Sequence, residues 1–168
     1  MAPQITYSDL DRVAAQLGRS PRGAVDIAAR CACGAPLVVT TAPRLPDGTP
    51  FPTTYYLTDP VLTAAISRLE AKGDMNRWNA KLQTDPDFAK RYRQAHEDYL
   101  SNRQNLCLSE DLTVPEIEGI SAGGMPDRVK CLHALVGHAL AAGPGINPVG
   151  DEVLAELGWE SAVCLGGH

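Results

Sequence analysis

Apolar residues alternate with a period of two only ahead of Asp59; beyond the Asp59-Pro60 pair, every apolar pattern repeats at helical spacing. Strands gathered early and helices gathered late point to an α+β domain, since βαβ units would interleave the two periods. The expected architecture is a small antiparallel sheet of about three strands, in the N-terminal half, packed against about five or six helices.

The strands are read from three stretches. In GAVDIAARC, Val25, Ile27, Ala29 and Cys31 share one face and Asp26, Ala28 and Arg30 the other, as in a half-buried strand. The glycine of CACGAP turns the chain into PLVVTT, so the two pair as a hairpin. After the proline-punctuated loop PRLPDGTPFP, TTYYLTDP supplies the third strand.

Ser8 or Asp9 is expected to cap a first helix over Leu10, Val13, Ala14 and Leu17, ended by Gly18. Asp59-Pro60 and Asp85-Pro86 each join a capping side chain to the proline suited to a first helical turn. The first of these helices runs to Gly73. The second carries an apolar stripe of Phe88, Tyr92, Ala95, Tyr99 and Leu106, and a shorter helix around Met75, Trp78 and Leu82 lies between them. Leu108 to Ile120 is an acidic surface connection. Pro126 is expected to open a further helix, and Asp151 to Leu157 to form the last one. All 168 residues make one domain, with a core over about 8–157 and a frayed tail from Gly158 to His168.

The net charge of −5 argues against a nucleic-acid partner, which needs a basic face. The start, MAPQITYSDLDRV, has no basic and apolar leader pattern, and no run reaches the roughly 18 apolar residues of a membrane span, so a cytoplasmic protein is expected. Five cysteines without a secretion signal are expected to be reduced, and to serve as small hydrophobes, metal ligands or reactive thiols.

Chemistry concentrates in GGMPDRVKCLHALVGHALAAGPG, Gly123 to Gly145. On a helix begun at Pro126, the core face is Val129, Leu132, Leu135, Val136, Ala139 and Leu140, with His133 at its edge. The opposite row is Asp127, Cys131, Ala134 and His138. If the hairpin with Cys31 and Cys33 packs there, Cys, His and carboxylate groups from two elements meet as zinc, or another divalent transition metal, requires. A second candidate is a phosphate, carboxylate or nucleotide site at the glycine-rich helix start, built from Gly123, Gly124, Arg128 and Lys130, with Arg19 and Arg22 of GRSPRG joining if that turn packs nearby. A third is a protein-binding module without chemistry. His133 reads as a satisfied core-edge histidine and Asp59 as a helix cap. Cys107, Cys164, His96 and His168 have no partners visible in the sequence. No nucleophile elbow, zinc-protease or dinucleotide motif occurs, so no reaction class is assigned.

QLGRSPRG, PRLPDGTPFPTTYYLTDP, SAGGMPDRVKCLHAL and GPGINPVGDE, in that order, resemble a bacterial family catalogued as domain of unknown function 501, over about Ser8 to Leu157. The resemblance implies a cytoplasmic bacterial protein and no mechanism. It also implies that the position of Asp59 can hold Cys or His, the interchange expected of a ligand, and that the position of Cys33 need not hold Cys. The expected ligand set is therefore Cys31, Asp59, Cys131 and His138, with Cys33, His133 and Asp127 as alternates. An aspartate there is a harder ligand than a soft metal prefers.

Overall fold

The computed structural model describes residues 5–168. Helix α1 (Tyr7–Leu17) leads into strands β1 (Ala24–Arg30), β2 (Pro36–Thr41) and β3 (Tyr55–Leu57), followed by α2 (Pro60–Ala71), α3 (Met75–Thr84), α4 (Pro86–Ser109), a 3-10 turn (Pro115–Ile117), α5 (Leu132–Ala142) and α6 (Pro148–Glu156). The strands form one antiparallel sheet in the order β1-β2-β3. The molecule is thus α+β, as the segregated periodicities require.

The cap of α1 is Thr6 rather than Ser8 or Asp9. The Asp9 amide donates to the Thr6 hydroxyl at 3.1 Å and the Thr6 amide to the Asp9 carboxylate at 3.1 Å, a reciprocal capping pair. The same carboxylate accepts both arms of the Arg30 guanidinium, at 2.7 and 2.9 Å. That partner holds Asp9 well below the usual carboxylate range and fastens α1 to the end of β1.

Asp59 and Asp85 cap α2 and α4 as expected, accepting from the Leu62 and Phe88 amides. Asn147 and Pro148 repeat the device, so α6 starts three residues before Asp151. Phe88, Tyr92, Ala95 and Tyr99 of α4 are fully buried, continuing the stripe the spacing defines.

Helix α5 does not begin at Pro126. Gly123 and Gly124, with left-handed φ of 66° and 93°, fold the chain back so that the Lys130 amide reaches the Gly123 carbonyl and the Arg128 amide the Gly124 carbonyl. Asn79 then holds Val129 by both its backbone groups, at 2.9 Å each. Only past this clamp does the chain coil.

Two glycines set how tightly α5 is enclosed. A Cβ on Gly137 would stand 2.8 Å from the Tyr55 carbonyl oxygen of β3, and one on Gly150 of α6 would stand 2.4 Å from the Leu135 carbonyl oxygen. The helix is therefore pressed between sheet and α6, and Leu132, Leu135, Val136, His138 and Ala139 are all buried. His138 lies in the core, where the wheel reading placed it opposite. Among the described residues, no helix is long and apolar enough to cross a membrane.

Candidate metal centre

Between β1 and β2 the chain turns over Cys31–Ala35. The Cys31 amide donates to the Ala35 carbonyl and the Gly34 amide to the Cys31 carbonyl, each at 2.8 Å. Gly34 sits at φ 89°, a conformation that disfavours any side chain, so the CxCG order makes this turn possible and places two thiols on it. Cys31 is buried and Cys33 exposed.

Asp59 stands beside this turn because the end of β3 is tied to β2, the Thr58 and Asp59 amides both reaching the Leu37 carbonyl. It is only 2 % exposed. One carboxylate oxygen caps α2; the other lies 2.6 Å from Nδ1 of His168. The tail expected to fray, Gly158 to His168, folds back in this structure: His168 returns to the start of α2, alongside Gly167, whose position leaves no room for a Cβ against Val61.

The result is a cluster that the sequence did not reveal. The sulfurs of Cys31, Cys33 and Cys164 and a ring nitrogen of His168 all lie within 4.8 Å of one another. A tetrahedral zinc ion, with zinc–sulfur bonds of about 2.3 Å, would need its ligand sulfurs about 3.8 Å apart. Since Nδ1–H of His168 donates to Asp59, the lone pair is on Nε2, which faces the Cys164 sulfur at 3.2 Å. A carboxylate holding a histidine in its ligand tautomer is the usual support of a zinc-bound imidazole. The Ala35 amide and the Cys164 thiol bring Cys33 down to about 7. Cys164, although the Gly166 amide favours its anion, is pushed up by the thiols of Cys33 and Cys31. Bound thiolates at one point are what a divalent cation would hold together. The missed signal is Cys164-x3-His168, a spacing within the range for paired zinc ligands, separated from its C-x-C partner by most of the chain.

The remaining expected ligands lie elsewhere. Cys131 is the N-cap residue of α5 and clusters with Glu70 of α2 and His133, not with Cys31. His138 has both ring nitrogens occupied: the Asn147 side-chain amide donates to Nδ1 at 3.2 Å, and Nε2–H donates to Asp98 at 2.8 Å. Its ring stacks on Tyr55 and meets Tyr99 edge-on, and burial pushes its pKa down. With no free lone pair, it is no ligand. Asp127 pairs with Arg93 on the surface. Asp59 supports the cluster through His168 rather than entering it, which removes the mismatch of a hard oxygen among soft sulfurs.

The anion site is not assembled as expected either. Gly123 and Gly124 do not form the first turn of α5 but a loop ahead of Val129 that packs against it, the Gly123 carbonyl accepting the Cys131 amide, and Arg128 and Lys130 are exposed on that loop. Arg19 and Arg22 border a cleft with Leu17, Val39, Thr41 and Tyr56, to which that loop contributes nothing.

A family model described as a protein of unknown function, DUF501, matches residues 27–155. The span takes in Cys31, Cys33, Asp59, Glu70, Cys131 and His133, and stops short of Cys164 and His168. No curated protein and no solved structure matches the chain. A match over more than half of the residues decides the relationship: the chain belongs to the DUF501 family.

Proposed function

We propose that this protein binds one soft divalent cation, zinc by its ligand chemistry, through Cys31, Cys33, Cys164 and His168. The observation that carries the reading is the approach of three sulfurs and one imidazole nitrogen to within 4.8 Å, with the other imidazole nitrogen held by a buried carboxylate. Three thiolates and one histidine are a donor set suited to zinc and poorly suited to magnesium or calcium. Four protein ligands leave no position for substrate, so the ion's role is structural: it clasps the tail after α6 to the β1–β2 turn and the start of α2. Asp59 is the positioning residue, shared between the cap of α2 and the imidazole.

The test is elemental analysis of the full chain purified without chelator, beside a Cys33→Ser/Cys164→Ser double variant. One equivalent of zinc in the parent and none in the variant supports the site. No metal in the parent, or metal retained by the variant, overturns it.

A further inference from the structure

A second cluster lies on the far side of α2 from its cap. Glu70, in the last turn of α2, accepts the Leu132 amide at 2.8 Å through Oε1, and the same oxygen lies 3.3 Å from Nδ1 of His133. Nε2 of His133 faces the Thr63 carbonyl at 3.1 Å and the Ser67 hydroxyl at 3.2 Å. The Cys131 sulfur joins Glu70 and His133, the three groups lying within 4.8 Å of one another. A carbonyl accepts only, so Nε2 carries a proton; Nδ1 then faces the Glu70 carboxylate, with the Cys131 sulfur in the same cluster. Two acids and a base thus meet where the positive end of the α5 dipole favours anions over a metal cation.

We propose that Cys131, His133 and Glu70 form a nucleophilic thiol site that takes an activated acyl group, an ester or thioester. Cys131 is the nucleophile, His133 the acid and base, and Glu70 the positioning residue that orients the imidazole. The group is reachable from solvent: Cys131 is half-buried and the His133 and Glu70 side chains are about a quarter exposed. Burial works against a Cys131 anion, yet the His133 imidazole and the Ala134 amide beside the sulfur turn the net direction downward. The Cys131 sulfur, the Thr63 carbonyl and the Glu70 carboxylate together push His133 up to about 9. A thiolate beside an imidazolium at a helix start is the activated form of a cysteine nucleophile.

The chemistry balances within this cluster. The Cys131 thiolate attacks the acyl carbon and forms the carbon–sulfur bond, while the carbonyl oxygen takes the electron pair. The backbone amide of His133, in the first turn of α5 where no helical acceptor is available, suits a developing oxyanion. As the carbonyl re-forms, the alkoxide or thiolate leaves with the proton of the His133 imidazolium. Neutral His133 then takes a proton from the water that attacks the thioester, releasing the carboxylic acid and restoring the thiolate.

The test uses the full chain, with p-nitrophenyl acetate as acyl donor and iodoacetamide as a label of thiolate. The expected result is about one equivalent of p-nitrophenolate released rapidly near pH 7, with the acetyl group mapped to Cys131. Iodoacetamide should label Cys131 at a rate nearly flat from pH 6 to 8, and His133→Gln should slow labelling at pH 6.5 by at least about tenfold and restore an ordinary thiol profile. Should that variant not fold, the wild-type profile alone decides. An ordinary-thiol profile at Cys131, an acetyl group found only on another cysteine, or protection of Cys131 by a second equivalent of zinc overturns the proposal. The last outcome would make the cluster a metal site. Cys33 and Cys164 also react when the hairpin cluster holds no ion, so acetyl and label are counted at Cys131 by peptide mapping, and p-nitrophenolate release is read on the Cys33→Ser/Cys164→Ser variant.

Discussion

His138 and His168 each set one ring nitrogen against a carboxylate, Asp98 at 2.8 Å and Asp59 at 2.6 Å, and differ in what faces the other nitrogen. In the core that nitrogen accepts a hydrogen bond from the Asn147 amide; at the hairpin it faces the Cys164 sulfur. The first arrangement is complete: every donor of the imidazole has an acceptor, and the ring is locked between Tyr55 and Tyr99. The second leaves a lone pair directed at three thiols. Histidine beside aspartate is therefore no indication of a site; the partner of the remaining nitrogen decides between a structural group and a ligand.

The comparison is broken most severely by emptying the core position. His138→Ala removes a fully buried ring and takes from the buried Asn147 amide its imidazole acceptor, a loss of about 3–5 kcal/mol in urea denaturation. The fraction that still folds should carry the same zinc content as the parent; a loss of metal there would mean that the two histidines are not independent. Asp59→Asn acts on the other member. It should weaken metal affinity about 10–100-fold in competition with a chromophoric chelator, because the imidazole loses the carboxylate that fixes its tautomer. Unchanged affinity would leave Asp59 as a cap alone.

The smallest effect is on pH dependence. Burial depresses the pKa of His138, and to the same end that of His96, so the unfolded chain binds more protons than the folded one below about pH 6.5. Their contribution to stability is complete above that pH and is lost as pH falls below it. The urea midpoint of metal-free protein should drop on going from pH 7 to pH 5.5, and by less in a His138→Gln variant.

Local chemistry made much of the fold readable. Asp59-Pro60 and Asp85-Pro86 start helices because capping and the proline ring act within a few residues. The Cys31–Ala35 turn follows from Gly34, and the α4 stripe from its spacing. The start of α5 departs from the helix expected at Pro126 because its clamp comes from Asn79, 50 residues earlier in the chain. The same expectation puts His138 on an open face: a wheel finds the apolar side of a helix but cannot know that Gly137 and Gly150 let two neighbours close on it. Cys31 and Asp59 stand out as candidate ligand positions, whereas Cys164-x3-His168 has the spacing of a ligand pair but is separated from the C-x-C turn by most of the chain, and nothing local joins the two.

What this sequence determined by itself was the α+β architecture, the hairpin with its two thiols, and the supply of cysteine, histidine and carboxylate groups, all consequences of short-range periodicity, capping and turn conformation. Tertiary structure alone decided which of those groups meet. The path of the tail back to Asp59 joins Cys164 and His168 to Cys31 and Cys33, and the packing of α5 against α2 gives Cys131 to His133 and Glu70. Contacts between residues far apart in the chain are set by how whole elements pack, and no local pattern of residues encodes that.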